Sequence, residues 1–470
     1  MSADPLAALA ALLGPRGLIT EAADIVPYAE DWRHLYRGAP PAVLRPADTA
    51  ELAAAVKLCA KAGLGIVPQG GNTSMVGGAT PSENGREVVL SLARLNRVRA
   101  LDPVDLSLTI EAGATLKAAQ DAAAEAGCRL PLSIASEGSA TIGGVLSTNA
   151  GGNMTLRYGN ARDLVLGLEV VLADGRVWEG LRRLRKDNTG YCLRQIFLGA
   201  EGTLGVITAA VLKLVPAPQA RVVAFVAQPN PEAALAFLNR CQRHDPAALT
   251  AFEYMGEHGM SLVLRHIPDT ALPLAHPAAH YALVEFSSPR AEPGFAETVE
   301  EVIAAAMTAG EVLDATLAAS EGQARAMWRL REEHAEAQKR AGASIKNDVS
   351  VPVSLVPEFL RAAPAACAAL MPGIRVVAFG HLGDGNIHFN LRPPEGMAEA
   401  DFLARDHQVM DAVNGVVRLL GGSFSAEHGV GRLKTYMMPE WRGGVELDLM
   451  RALKAAFDPE GVMNPGKVLP

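Results

Sequence analysis

The residue types that could do chemistry gather in one stretch, Phe379–Asn390, which carries His381 and His388 on either side of Gly383-Asp384-Gly385-Asn386. Asp-Gly is a preferred pair for a two-residue type I′ loop, because both central positions need positive φ. The flanks, residues 374–379 and 387–391, read as strands. With Asp384-Gly385 as the loop, His381 stands opposite His388, with Cβ atoms roughly 4.5–5.5 Å apart on one face. Asn390, two residues on, shares that face. A cross-strand histidine pair can chelate one metal ion, with an amide nearby to orient a ligand. It equally suits a hairpin with two half-buried histidines, and this stretch alone leaves both open.

The elements that must position these residues need a large chain, and 470 residues allow two or three domains with sizeable cores. A hydrophobic share of 49% and a charged share of 20% belong to a globular protein. The net charge is −8 and no basic block occurs, so nucleic acid is not an expected partner. A small anionic substrate would need a local cluster of Arg or Lys. Five scattered cysteines without a C-x-x-C suggest a reducing compartment and no disulfide framework. The chain shows no uninterrupted apolar run long enough for a bilayer and opens with an acid where a signal peptide wants a base. The expectation is a cytoplasmic protein that does not span a membrane.

Along the chain, a lead segment of residues 1–40 precedes a strand at 42–46. A helix at 50–62 follows, with Asp48 or Thr49 as its cap and Gly63 as its stop. The strand 65–68 runs into Gln69–Gly78, where four glycines in ten residues make a phosphate-cradling composition or an ordinary flexible loop. A second small-residue tract, Ser136–Asn153, interleaves Ile142, Val145 and Leu146 and reads as backbone wrapped around something. A third Gly-rich stretch runs from Phe197 to Thr208. Together they suggest one large elongated cofactor. No Gly-x-Gly-x-x-Gly joins a strand to a helix, and the P-loop-like Gly461–Val468 lacks its terminal Ser/Thr and a following helix. A boundary near 216–219 leads to alternating strands and helices, an α+β pattern of antiparallel sheet with helices packed on it. One long helix over 320–341, carrying Arg331, is expected before the hairpin.

Residues 68–78, 141–152 and 199–208 resemble the FAD-binding domain of the p-cresol methylhydroxylase/vanillyl-alcohol oxidase flavoprotein superfamily. His381–Asn390, Ser425–Gly431 and Asp458–Lys467 look like its D-lactate/D-2-hydroxyglutarate dehydrogenase branch, the glycolate-oxidase FAD-subunit-like family. The resemblance covers roughly residues 30 to 470 and implies an α+β fold. Its layout is an FAD-binding domain of two α+β subdomains (41–218), a ferredoxin-like antiparallel-sheet substrate and metal domain (219–400), and a C-terminal helical segment (401–470) returning to the flavin. It places the FAD diphosphate on Gly70, Gly71, Asn72 and Thr73, with Gly77 and Gly78 beyond. Ser136, Gly138, Thr141, Gly144, Asn149, Gly151 and Gly152 would flank flavin and nucleotide, with Glu201, Gly202 and Ile207 from the third segment. Some relatives attach FAD through a histidine in the first loop. No histidine occurs here between Tyr36 and Arg243, so FAD is expected to be non-covalent.

The resemblance also implies a divalent cation, zinc first, on His381, His388 and Glu427. Glu427 and His428 are adjacent and point in different directions, so a metal-bound Glu427 leaves His428 to act as a base. Two His and one carboxylate with open positions is catalytic stoichiometry. Arg331, Lys346, Asn390 and His428 would bind a small D-2-hydroxy acid, with the C2 hydride passing to flavin. D-2-hydroxyglutarate, giving 2-oxoglutarate, is the first expectation; D-lactate, D-malate, glycolate or a larger D-2-hydroxy acid is the alternative. The family's threonine four residues after the arginine is Ala335 here, which puts the dicarboxylate preference in question. An electron-transfer flavoprotein or a quinone is the expected acceptor, and a homodimer the expected assembly.

Overall fold

The computed structural model describes residues 4–470. Two compact units divide the chain. The first takes residues up to Gly151, then Asn160–Ala217 and Glu427–Pro470; the second takes Gly152–Gly159 and Pro218–Ala426. The change of unit after Ala217 lies in the Pro-rich stretch 216–219. The C-terminal return starts at Glu427, later than the expected 401: helix Asp406–Leu419 stays with the second unit, burying Val409, Val413 and Val417 on one face.

In the first unit the helix Thr49–Ala62 forms as the sequence dictates. Asp48 accepts a hydrogen bond from the Glu51 N–H (2.9 Å), and Gly63 ends the helix at φ +64°. It accompanies a four-stranded sheet in the order Leu18–Ile19, Val43–Leu44, Glu87–Ser91, Gly65–Gln69, whose last three strands run parallel. Ile66 also bridges to Met463, so the C-terminal segment extends this sheet. A five-stranded antiparallel sheet orders Val98–Asp102, Ser107–Glu111, Val206–Lys213, Val165–Val171 and Val177–Gly180. The expected Asp174-Gly175 turn joins its last two strands, with Gly175 at φ +83°.

The second unit is built on seven antiparallel strands, in the order Asp314–Leu317, Ala220–Gln228, His280–Ser288, Leu249–Gly256, Arg375–His381, Asn386–Arg392, Asp348–Ser350. The expected helix over 320–341 is two helices, Glu321–Glu332 and His334–Arg340. The break has a cause in His334. Its ring lies in the core and its Nδ1–H donates to the carbonyls of Leu330 (2.9 Å) and Arg331 (3.2 Å), capping the first helix from within the second. Val353–Leu370 is the one stretch among the described residues that is long and apolar enough, by length and composition alone, to cross a membrane, and it is not an uninterrupted apolar run. It carries Glu358, Arg361 and Pro364 and buries Val356, Phe359, Ala363 and Cys367 along one stripe, which is the pattern of an amphipathic core helix.

The hairpin differs from its expected register. Leu382–Asp384 form a 3₁₀ turn, only Gly385 takes positive φ (+81°), and the last pair is His381 with Asn386. Leu382 is fully buried and Asp384 accepts from the Asn386 N–H (3.0 Å), so the turn tucks inward rather than forming a two-residue loop. His388 therefore stands opposite Phe379. A slip of two residues preserves the face, whereas a slip of one would have inverted it. His381, His388 and Asn390 remain on the same side.

Candidate active site

In the first unit, Gly70 and Gly71 pack against the second small-residue tract. A Cβ on Gly70 would overlap the Thr141 hydroxyl and one on Gly71 the Ser139 carbonyl. This turn leaves the N–H groups of Gly70, Gly71, Asn72, Thr73, Ser74 and Met75 without an acceptor among the described residues. Six successive N–H groups in a solvent-accessible Gly-rich turn are donors available to an anion, a chemistry that suits a diphosphate. Asn72 sits at φ +52° and donates through its side chain to Glu30 O (2.8 Å), tying the loop to the lead segment. Gly77 turns at φ +68° against the Tyr36 ring. Thr141 caps the short helix Ile142–Ser147, in which Gly144 lies. Ser136 closes a turn by accepting from the Ser139 and Ala140 N–H groups, and around Gly138 a Cβ would meet nothing. Asn149, at φ +50°, accepts from the Arg162 N–H (2.9 Å). Gly151 ends one stretch of the first unit, and Gly152, at φ +149°, opens the excursion 152–159.

The third segment is fastened to the second: the Glu201 N–H donates to Ser147 O (2.8 Å) and the Gly199 N–H to Leu146 O (3.0 Å). Gly202 lies against the Pro68 ring, and Ile207 is buried in strand Val206–Lys213. The Glu201 carboxylate is occupied, accepting from the Val430 N–H (2.7 Å) and the Gly431 N–H (2.8 Å). Burial raises its carboxyl to about 7, although those two bonds pull the other way.

In the second unit, the histidine face is backed by acids that sequence reading missed. Glu253, opposite His381 on the neighbouring strand, accepts from His381 Nδ1 (2.6 Å) and from Arg331 Nε (2.7 Å). Burial alone would raise its carboxyl, but the charges and hydrogen bonds of His381 and Arg331 outweigh burial and hold it at about 2. The contact with Glu253 turns His381 so that Nδ1 meets the carboxylate and Nε2 is directed away from it, the ring orientation that a carboxylate behind a metal-binding histidine provides. Asp348 lies opposite His388, with Oδ1 3.6 Å from Nδ1, an electrostatic rather than hydrogen-bonded contact. Burial raises the nearby Asp384 carboxyl to about 6. Two imidazoles on one face, set among buried carboxyls, are a donor set suited to a divalent cation. Glu427 and His428 follow directly on Ala426, whose N–H donates to Asp348 O (3.2 Å).

Arg331 is buried with its guanidinium 5.0 Å from the Phe379 ring centroid. Its Nε is held by Glu253, and among the described residues its two terminal amino groups bond to nothing in the chain, so they can grip a carboxylate side by side. Asn390 donates to Gln338 (3.0 Å) and accepts from the Asn347 N–H (3.2 Å), which leaves one amide hydrogen. Lys346 precedes Asn347 and is half-buried. Ala335 is exposed on helix His334–Arg340, whose buried residues are His334, Ala337 and Gln338. The one sequence signal for Glu253 was a lone acid inside the apolar run Leu249–Met255; Asp348 had no comparable signal.

Residues 40–180 match the family model "FAD binding domain" and residues 217–468 match "FAD linked oxidases, C-terminal domain". The chain is 39% identical to the mitochondrial D-2-hydroxyglutarate dehydrogenase of Bos taurus, over 100% of this chain and 84% of that one. It is 37% identical to the D-2-hydroxyglutarate dehydrogenase of Xanthomonas citri pv. viticola (96% and 94%) and 35% identical to that of Stutzerimonas stutzeri (98% and 97%). In fold it is similar to p-cresol methylhydroxylase with substrate bound, at TM-score 0.76 and 18% identity over 98% and 96% of the two chains. Alkyldihydroxyacetonephosphate synthase gives 0.74 at 17% identity over 99% and 86%. With a flavin cradle in one unit and a histidine–arginine face in the other, the chain belongs to the FAD-linked oxidase family and to its FAD-dependent D-2-hydroxyacid dehydrogenase branch.

Proposed function

We propose that the protein oxidises D-2-hydroxyglutarate to 2-oxoglutarate with non-covalent FAD and a divalent cation. The observation that carries this reading is the full-length likeness, at 35–39% identity, to D-2-hydroxyglutarate dehydrogenases. Arg331, braced by Glu253, suits one carboxylate of the substrate; Lys346 and the remaining amide hydrogen of Asn390 suit the other polar groups. FAD, held along Gly70–Gly78 with Ser136–Gly152 and the backbone of Glu201 through Ile207 around it, would supply a two-electron acceptor, the Glu201 side chain being taken up by Val430 and Gly431. A cation on His381, His388 and Glu427, zinc by ligand type, supplies a Lewis acid for the C2 hydroxyl. His428 receives the hydroxyl proton on its imidazole. The exposure of Ala335 weakens the argument that its missing hydroxyl widens the substrate site.

For the electron acceptor we propose an electron-transfer flavoprotein or a quinone, and for the assembly a homodimer. Five unpaired cysteines suit a cytoplasmic location, although the cattle and rat relatives are named as mitochondrial. Turnover with a dye acceptor tests the reading. D-2-hydroxyglutarate should be oxidised and its L-isomer not, a chelator should stop the reaction, and zinc should restore it. Activity that survives both chelation and His388→Ala would remove the metal from the account.

A further inference from the structure

We propose that Glu201 is a positioning residue for His428: its carboxylate fixes the loop Gly429–Gly431 and so sets where the preceding imidazole stands on the flavin-binding unit. The inference rests on the proposed role of His428 as the base.

Three observations carry it. Glu201 occupies φ +50°, a left-handed conformation that a residue with a side chain adopts at a cost of about 1–2 kcal/mol. Glycine would meet that backbone need at lower cost, so the side chain must have its own use. That use is visible. The two carboxylate oxygens take the N–H groups of Val430 and Gly431 one each, at 2.7 and 2.8 Å. The loop is shaped for this grip. Gly429 sits at φ +78°, and a Cβ there would lie 2.6 Å from Glu201 Oε1; a Cβ on Gly431 would overlap Val76. Only glycines let a carboxylate come so close on one side and Val76 on the other.

The grip is also rigidly mounted. Asn464 donates to the Glu201 carbonyl (2.7 Å) and to Gly78 O (2.8 Å), and the Glu201 N–H is held by Ser147 O (2.8 Å). The Arg432 and Leu433 N–H groups both donate to Val76 O (2.9 and 3.1 Å), closing the far side of the loop. His428 lies one residue before the gripped stretch, so displacement of Val430 is passed to the imidazole through two peptide units. A misplacement near 1 Å in a reacting group costs up to about 100-fold in rate.

The test compares Glu201→Gln, which offers an N–H to one of the two loop N–H groups, in the wild-type and His428→Ala backgrounds. Single-turnover flavin reduction by D-2-hydroxyglutarate is the readout, with FAD content measured alongside. We expect Glu201→Gln to retain FAD, to lose about 10–100-fold in reduction rate with little change in substrate affinity, and to cost almost nothing further in His428→Ala. If the Gln variant does not fold, Glu201→Asp, which withdraws the oxygens by one methylene, is put through the same cycle with the same expectation. An undiminished penalty in His428→Ala, loss of FAD, or an unchanged rate overturns the proposal. A normal rate in His428→Ala alone overturns the base assignment instead, so the two failures are distinguishable.

Discussion

Glu253 joins what the sequence presents as separate: it binds His381, 128 positions away, and Arg331, 78 positions away. Glu253→Gln keeps the shape but offers His381 and Arg331 an amide in place of a carboxylate. It should lower metal retention after dialysis about 10–100-fold and raise KM for the dicarboxylate. Metal retained at wild-type level would show that this carboxylate does not orient a ligand. Glu253→Ala should instead destabilise the fold by about 3–5 kcal/mol, by leaving Arg331 buried and uncompensated. Glu201 gives a pH test. Its carboxyl is raised to about 7 in the folded chain, against an ordinary 4.5. Its contribution is thus fully present below about pH 4.5 and is lost as pH rises through about 7, up to roughly 3 kcal/mol. Denaturant midpoints should therefore fall more between pH 5 and 8 for wild type than for Glu201→Gln; parallel profiles would contradict it. At this scale the sequence exposes residue types, so the histidines and Arg331 were legible. It hides pairings made across a sheet, so Glu253 and the grip of Glu201 on Val430 and Gly431 were not.

Elements were legible where their signals are local. Asp48 and Gly63 mark the ends of the helix Thr49–Ala62, and Asp174-Gly175 marks its turn. They were misread where tertiary packing decides. The burial of Leu382 reshaped the hairpin loop by two residues, and the His334 imidazole cut one expected helix into two. The Gly-rich loop is an element whose composition has a structural reason: its glycines allow the close approach to Ser139 and Thr141, and six successive N–H groups there have no acceptor among the described residues. Gly71→Ala places a Cβ inside the Ser139 carbonyl, so it should cost about 1–3 kcal/mol and yield protein with reduced FAD content. Full flavin occupancy in that variant would show that the approach is not needed.

The whole chain carries a net charge of −8, yet its proposed substrate is a dianion. Recognition must then come from local cations such as Arg331, with Lys346 expected beside it, rather than from the overall field. The change of unit after Ala217 coincides with a local Pro-rich signal at 216–219. The late return at Glu427 has no such signal, because helix Asp406–Leu419 looks the same in sequence whichever unit it packs on. One measurement tests the central claim directly: anaerobic mixing of the oxidised holoenzyme with D-2-hydroxyglutarate, L-2-hydroxyglutarate and D-lactate, followed by flavin bleaching. The account predicts rapid bleaching by D-2-hydroxyglutarate, slower bleaching by D-lactate and none by the L-isomer. Faster reduction by D-lactate, or bleaching by both isomers alike, would contradict it.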